Sequence, residues 1–163
     1  MIPVIRKILY TTDLSSNAAY AFAYAASLAN RYGAEIIVLH VMEEFLSSQE
    51  MSVMSIIEEK EPFVKNLNIQ AALELVRGRI EKFCQDRSEE LPSCTFIIDQ
   101  ITVKIGNPVE EILNHAEKTG CDMIVMGARG HGLLADIMIG STSRRVVRRS
   151  QKPVLVVRLP TLT

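Results

Sequence analysis

The sequence lacks several features that mark specialised classes of protein. It has no tryptophan, only three cysteines, and no excess of one charge, since 18 Lys and Arg stand against 19 Asp and Glu for a net charge of −1. A near-neutral chain disfavours nucleic acid or an anionic membrane as its main partner. Its longest apolar stretch, 18–26, has nine residues, whereas a membrane-spanning helix needs about 20.

The termini and the cysteines give expectations about location. The first residues place Arg6 and Lys7 after a very short apolar run, the reverse of a signal peptide. Cys84, Cys94 and Cys121 are odd in number and form no CxxC pair. These observations predict a cytoplasmic protein whose cysteines are reduced thiols, with neither a disulfide framework nor a zinc site.

Five segments have the composition of β-strands. Three contain continuous apolar runs (36–39, 123–126 and 154–157), which are typical of parallel strands covered on both faces. In the third strand Ile101, Val103 and Ile105 alternate with polar residues, which predicts a partly wet face or edge. The predicted strands are Lys7–Thr12, Glu35–Met42, 95–105, 121–127 and 153–159.

Helical segments alternate with these strands. Ser15 and Gly33 predict the limits of a first helix over 16–31, and Asn107, Pro108 and Gly120 those of a later one. A last helix is predicted from Ser141 to before Lys152. Between the second and third strands, apolar residues follow a helical spacing (Ile69, Leu73, Val76, Ile80, Phe83), and 45–61 is either a short helix or a mobile excursion that Pro62 ends. The alternation predicts a single α/β domain over 1–163, a doubly wound five-stranded parallel sheet with helices on both faces.

The residues most suggestive of chemistry follow the fourth predicted strand. Glycines 127, 130 and 132 come directly after it, and Gly140 precedes the last helix, whose first residues Ser141 and Thr142 carry hydroxyls. Glycines let backbone N–H groups approach an anion, and a helix N-terminus adds unpaired N–H groups. Arg129 adds a cation. The pattern predicts a phosphate cradle, although glycines that serve only as turns would give the same letters.

Two better-known phosphate motifs do not fit this stretch. A P-loop requires Gly-Lys-Ser/Thr, but Gly140 is followed directly by Ser141. The text of 130–135 matches the dinucleotide pattern G-x-G-x-x-G/A. That motif requires an acidic residue about 20 positions later for the ribose, and no Asp or Glu follows Asp136. The match is therefore attributed to chance.

The spacing Gly127-x2-Gly130-x9-Gly140-Ser141 resembles the nucleotide-binding signature of the universal stress protein family. The opening strand with Asp13, Leu39-His40-Val41, Gly106-Asn107-Pro108 and the closing 152–157 also fit that family. The resemblance covers most of the chain except about 45–93, where the family itself varies. It implies the ATP-binding branch, the strand order 3-2-1-4-5, and a homodimer often paired through the last strand.

The resemblance also implies roles for single residues. Ligands of such sheets bind where the strand order reverses, so Asp13 is expected to face Gly127 across a crevice lined by Thr11 and Thr12. Val41 would lie beside the adenine, and Met126 would form the floor of the pocket. Asp13 has two open roles, contact with ribose or a phosphate-bound Mg²⁺, and capping of the first helix together with Ser15.

Within the glycine segment the resemblance is incomplete. Ala128 stands where many relatives have Ser or Thr, which removes one hydroxyl donor near the phosphates. His131 would either donate to a phosphate or point into water. The candidate nucleotide-binding residues are Thr11, Thr12, Asp13, Val41, Met126, Gly127, Ala128, Arg129, Gly130, His131, Gly132, Gly140, Ser141 and Thr142.

The remaining charged residues favour structural roles. His40 is interpreted as a structural residue, and His115 as an imidazole that suits the dipole near a helix C-terminus. Arg144, Arg145, Arg148 and Arg149 are interpreted as cations of a helix surface and not as a nucleic-acid site.

Three functions remain open from the sequence. The first is a cytoplasmic stress-response module that binds ATP, with Mg²⁺ held through the phosphates. The second is a slow Mg²⁺-dependent ATPase that uses Arg129 and His131. The third is a dimeric adaptor that does not use nucleotide. In each case the apolar last strand, with Val154, Leu155, Val156 and Val157 at the sheet edge, predicts a homodimer.

Overall fold

A computed structural model describes residues 1–43, 61–128 and 139–160, with the side chains of 61–67 and of 96 left aside. Within these ranges, five strands form one sheet and four helices lie against it. The strands are β1 (Lys7–Thr12), β2 (Glu35–Met42), β3 (Ile98–Ile105), β4 (Met123–Gly127) and β5 (Val154–Val157). The helices are α1 (Ser16–Tyr32), α2 (Glu61–Asp86), α3 (Pro108–Thr119) and α4 (Ser141–Arg149).

The sheet has the order β3-β2-β1-β4-β5, and its four strand pairings between described residues are all parallel. Both the fold class and the strand order predicted from the sequence are confirmed. The order reverses between β1 and β4, because the chain first builds outward from β1 to β3 and then returns to the other side. Ligands of doubly wound sheets bind at such a reversal, outside the carboxyl ends of the strands.

Each face of the sheet carries two helices over its own apolar core. One core joins β1 residues Ile8 and Tyr10 with α1 and α2, and the other joins Leu9 with α3 and α4. The assignment follows the strand period of two, which sends successive side chains to opposite faces. Ala21, Ala25 and Ala29 of α1 are fully buried, because their small side chains let the helix backbone lie close to the strands.

The predicted helix ends are confirmed by their hydrogen bonds. The Ser15 hydroxyl accepts from the Ala18 N–H at 3.1 Å, and Gly33 ends α1 in the left-handed region at φ 64°. The Asn107 side chain accepts from the Glu110 N–H at 3.2 Å. Pro62 lies within α2, whose described part begins at Glu61. The predicted excursion over 45–61 lies almost wholly outside the described residues.

The third strand differs from its prediction at the start. It begins at Ile98 and not at 95, because Cys94–Ile97 form a 3-10 turn. Asp99 and Gln100 are exposed, and the register with β2 shifts there, from Ile36 opposite Ile98 to Ile37 opposite Gln100. The expectation of a partly wet edge strand is confirmed.

The prediction of reduced cysteines is wrong for two of the three. Cys84 of α2 and Cys94 of the 3-10 turn form a disulfide whose Cα atoms lie 5.3 Å apart. The two cysteines are ten positions apart in sequence, so no short sequence motif predicted the pair. Cys121 is a free buried thiol, and burial raises its pKa to about 11.

Candidate functional site

The strands β1 and β4 separate at their carboxyl ends. Their register pairs Ile8 with Met123, Leu9 with Ile124, and Tyr10 with Val125. Both strands continue for two more residues, to Thr12 and Gly127. The pairing between β1 and β4 therefore ends at the point where the strand order reverses, which is where a doubly wound sheet forms a crevice for a ligand.

Four of the predicted nucleotide-binding residues share one face of the sheet at this edge. Met126 belongs to the core beneath α3 and α4, and Val41 packs against that core. Strand alternation places Thr11 and Ala128 on the same face. Thr11, Met126 and Ala128 are buried, and Val41 is partly buried. This side of the crevice therefore has mostly apolar walls with one hydroxyl.

The N-terminus of α4 lies beside the same edge without a side-chain cap. Gly140 is the N-cap residue, and it has no side chain to accept from the first N–H groups. Ser141 is exposed and Thr142 is partly buried. Uncapped N–H groups, the positive end of the helix dipole and adjacent hydroxyls are the donors that a phosphate prefers.

Ser143 was not among the predicted site residues, yet it holds the start of α4 against the end of β4. Its hydroxyl donates to the Ala128 carbonyl oxygen at 2.8 Å and lies 3.1 Å from that of Gly140. The Gly140 N–H donates to the Ala128 carbonyl at 2.6 Å. Ala128 and Gly140 are thereby held together at the two ends of the intervening chain. Nothing in the local sequence separates Ser143 from its neighbour hydroxyls.

Gly127 has a structural reason to be glycine. A Cβ at this position would lie 3.2 Å from the backbone of Asn17 and Ala18 and from Cγ of Asn17. The side-chain amide of Asn17 donates to the Val157 carbonyl at 3.1 Å, so the first turn of α1 crosses over the end of β4. Close helix approach accounts for Gly127 independently of any ligand.

Asp13 lies in the turn between β1 and α1. Its Oδ1 accepts from the Ser15 N–H at 3.0 Å, while Ser15 itself caps α1. Asp13 therefore does not cap α1 directly. It accepts a hydrogen bond from Ser15, and Ser15 in turn caps the helix. This hydrogen bond occupies Oδ1 and places Asp13 at the mouth of the crevice.

The two described histidines have different environments. His40 is buried, and its Nδ1 lies 2.7 Å from the Thr12 carbonyl oxygen, so its structural interpretation is confirmed. His115 is also buried, and no described group pairs with its Nε2. Burial, aided by Lys104 and Lys118, lowers its pKa. The ring lies near the C-terminus of α3, as expected from the sequence, and its lowered pKa favours the neutral imidazole.

Among the described residues, one arginine of the cluster forms an ion pair. Arg149 donates to both carboxylate oxygens of Glu110 on α3, at 2.6 Å and 3.2 Å. This pair lies at the end of α4 remote from Gly140, and it joins the two helices of this face.

The remaining candidates Arg129, Gly130, His131 and Gly132 lie outside the described residues. Over residues 1–43, 61–128 and 139–160, no group of three His, Cys, Asp or Glu side chains is arranged to hold a metal ion. In the same ranges, no helix combines the length and the apolar character needed to cross a bilayer.

Comparison with known proteins places this architecture in a family. The model of the universal stress protein family matches residues 5–158. Universal stress protein MJ0577 of Methanocaldococcus jannaschii is 33% identical over 159 residues, covering 94% of each chain. Universal stress protein YxiE of Bacillus subtilis is 32% identical over 155 residues, covering 95% of this chain and all of the relative.

Solved structures agree with these matches. The structure of MJ0577 superposes with a TM-score of 0.70 at 30% identity, covering 98% of this chain and all of that one. A universal stress protein in complex with cAMP has a TM-score of 0.59 at 20% identity, covering 96% and 98%. One from Archaeoglobus fulgidus in complex with dAMP has a TM-score of 0.52 at 20% identity, covering 95% and 99%.

Proposed function

The chain belongs to the universal stress protein family, and from this premise we propose that it binds ATP in the crevice between β1 and β4 as a cytoplasmic nucleotide-sensing module. The uncapped N-terminus of α4 beside the end of β4 is the observation that carries the proposal. It supplies the first N–H groups of a helix, which no described side chain caps, where an anionic ligand of a doubly wound sheet would lie.

The phosphates are assigned to the α4 side of the crevice. Ser141 and Thr142 would add hydroxyl donors to the N–H groups of the first helical turn. The predicted cradle residues Gly127, Ala128, Arg129, Gly130, His131 and Gly132 precede this turn in sequence, and Gly140 opens it. Ala128 contributes its backbone alone, and its carbonyl already accepts from Gly140 and Ser143.

The base is assigned to the end of β2. Val41 packs against the same core as Met126, and the polar backbone at a strand end can read the edge of an adenine. Adenine is chosen because two family members with this fold hold cAMP and dAMP. Thr11 and Thr12 would line the wall between the base and the phosphates.

Asp13 is assigned to the ribose or to Mg²⁺. Its position at the carboxyl end of β1 suits either role, while its Oδ1 closes the turn with Ser15. With no three-ligand metal group in the described part of the chain, the residues suit a Mg²⁺ held mainly by phosphate oxygens. Bound Mg²⁺ would supply charge neutralisation on those phosphates.

The same proposal includes a homodimer through β5. This strand lies at the edge of the sheet, and Val154, Leu155 and Val156 are only partly buried in the single chain. The carbonyls of Pro153 and Val157 accept from β4, so strand alternation turns the backbone groups of Val154 and Val156 to the open edge. An apolar edge strand with outward N–H groups is suited to pairing with a second copy.

Calorimetric titration of ATP into the purified protein, with and without Mg²⁺, tests the proposal. Saturable one-site binding without ADP formation is expected, and absence of binding would contradict it. Binding accompanied by ADP release would support the ATPase alternative in place of a sensing module. ADP assays on the same samples separate these outcomes.

A matched pair of variants tests the position of the phosphates. Ser141→Asp adds a carboxylate to the first turn of α4, where it stabilises the helix but repels a phosphate. Ser141→Asn has a similar shape and no charge. We expect the Asp variant to lose ATP affinity at least tenfold and the Asn variant to change it little, with neither lowering the melting temperature. Equal affinities for the two variants would place the phosphates elsewhere.

A further inference from the structure

The turn between β1 and α1 has an uncommon backbone conformation. Leu14 has φ 66°, and it is the only residue other than glycine in the described ranges with a positive φ. Bulky side chains disfavour this left-handed region. Such a conformation persists only where surrounding contacts hold it, and it is often found at functional sites.

At least four hydrogen bonds between described residues hold the turn. Two are internal, from the Leu14 N–H to the Thr12 hydroxyl at 3.0 Å and from the Ser15 N–H to Asp13 Oδ1 at 3.0 Å. Two come from other elements, one joining His40 of β2 to the Thr12 carbonyl and one from the Arg79 guanidinium to the Leu14 carbonyl. Of the hydrogen bonds between described residues, the one from Arg79 reaches Leu14 itself from outside the turn, while the Leu14 side chain packs against the core beneath α1 and α2.

Arg79 belongs to a part of α2 that is held by core packing, by an aromatic contact and by a disulfide. Its neighbours Val76 and Ile80 are buried in the core of this face. One turn further on, the Phe83 ring packs edge-on against Phe22 of α1 at 4.8 Å between centroids. The disulfide of Cys84 then ties the helix to the 3-10 turn that precedes β3. Because this part of the helix is held in place, the guanidinium of Arg79 can hold the carbonyl of Leu14 at a defined position.

We propose that Arg79 is a positioning residue of the nucleotide site, which acts from the opposite face of the sheet by holding the Leu14 carbonyl. Thr12 and Asp13 precede Leu14 directly, so the conformation of Leu14 sets the direction in which they face the crevice. A charged donor on a carbonyl is among the stronger hydrogen bonds. The inference rests on the proposed function, because it assigns a role at the same site.

The test compares three variants by ATP titration. Arg79→Met removes the donors but keeps an apolar stem of similar length, and Arg79→Lys keeps a charged donor. Arg77→Met removes an equal charge from an exposed position two residues away, so it measures the general loss of attraction for an anionic ligand. We expect Arg79→Met to weaken binding tenfold or more beyond Arg77→Met, and Arg79→Lys to restore most of the affinity.

Amide exchange without nucleotide provides a second readout. Arg79→Met is expected to speed exchange at the Leu14 and Ser15 amides, while Arg77→Met leaves their rates unchanged. Equal affinities for Arg79→Met and Arg77→Met, or unchanged exchange at the turn, would overturn the positioning role. A wild-type protein that binds no ATP would overturn the proposed function and this role with it, and the wild-type titration alone identifies that case.

Discussion

Cys84 at the end of α2 and Cys94 in the 3-10 turn before β3 are joined by a disulfide across a ten-residue separation. Both cysteines are buried in the core beneath α1 and α2. The bond therefore fastens the C-terminal end of a long helix to the edge strand of the sheet. In a reducing cytoplasm the two sulfurs would instead be thiols, and the stability of this corner would depend on the redox state.

Reduction of this disulfide is expected to lower the free energy of unfolding by about 2.5–3 kcal/mol, the chain-entropy value for a loop of roughly ten residues. Urea unfolding with and without dithiothreitol measures the difference. The double variant Cys84→Ser/Cys94→Ser serves as the control, because its stability should not respond to the reductant.

A thiol count under denaturing conditions accompanies that measurement. One reactive thiol per chain, from Cys121, is expected before reduction and three after it. Three thiols in protein purified without reductant would contradict the disulfide. In the folded protein Cys121 should resist alkylation near neutral pH, because it is buried and its pKa is raised to about 11.

Replacement of Ser143 by alanine should destabilise the junction between β4 and α4. The buried hydroxyl donates to the Ala128 carbonyl, and its loss is expected to cost about 1 kcal/mol. The cost stays modest because each carbonyl near it keeps a backbone donor, Gly140 N–H for Ala128 and Arg144 N–H for Gly140. Urea unfolding measures the loss, and amide exchange at Gly140 should become faster.

Ser141→Ala is the matched control for that substitution. Ser141 is exposed on the first turn of the same helix, so its replacement should leave the unfolding free energy and the Gly140 exchange rate nearly unchanged. If the two variants proved equally stable, Ser143 would not hold the junction.

Stability should fall with acid through His115. The unfolded chain takes up a proton on this residue near pH 6.5, whereas the folded protein resists protonation to a lower pH, because burial and two lysines depress the pKa. Unfolding below pH 6.5 therefore takes up a proton. The stability that the neutral His115 contributes is fully present above pH 6.5, and it is lost as the pH falls from that value through the lower pKa of the folded protein. Urea unfolding at pH 8 and pH 5 measures this loss.

The variant His115→Leu isolates the contribution of the imidazole. It removes the titrating ring and the buried Nε2 that no described group satisfies. We expect a smaller loss of unfolding free energy between pH 8 and pH 5 than in the wild type. Parallel pH profiles for the two proteins would show that the acid sensitivity arises at other groups, such as the Glu110–Arg149 pair, in which Arg149 lowers the pKa of Glu110.

Substitution of Val156 by proline should abolish the proposed dimer. Proline removes the N–H that points to the open edge, while the pairing with β4 uses the alternate residues. Sedimentation at micromolar concentration is expected to show a dimer for the wild type and a monomer for the variant. Val156→Thr keeps the N–H and the branched side chain, and it should remain dimeric. A wild-type monomer would refute pairing through β5.

The sequence was most informative where the structure depends on local rules. The limits of β1 and β2 and the caps Ser15 and Asn107 were predicted at the residues where they occur. Continuous apolar runs indicate strands that are covered on both faces, and together with the alternation of strands and helices they predict a parallel doubly wound sheet. The crevice followed from the strand order, which came from the family resemblance.

Long-range contacts were the part that local patterns did not reveal. Three contacts join segments whose spacing in the sequence does not predict that they meet. They are the Cys84–Cys94 disulfide, the hydrogen bond from Arg79 to Leu14, and the close approach of Gly127 to Asn17. His115 is different, because the sequence contained a usable signal. It lies three residues after Ile112 on the buried face of α3, and helical periodicity predicts a buried ring there.

The hydrogen bond between Gly140 and Ala128 also affects how the protein tolerates insertions. Ala128 and Gly140 are twelve positions apart in sequence, and this bond holds them in contact. Doubling the length of such a closed loop costs only about 0.6 kcal/mol in closure entropy. A foreign peptide inserted after Ala128 is therefore expected to have little effect on folding. The insertion point lies at the edge of the sheet where the proposed ligand would bind.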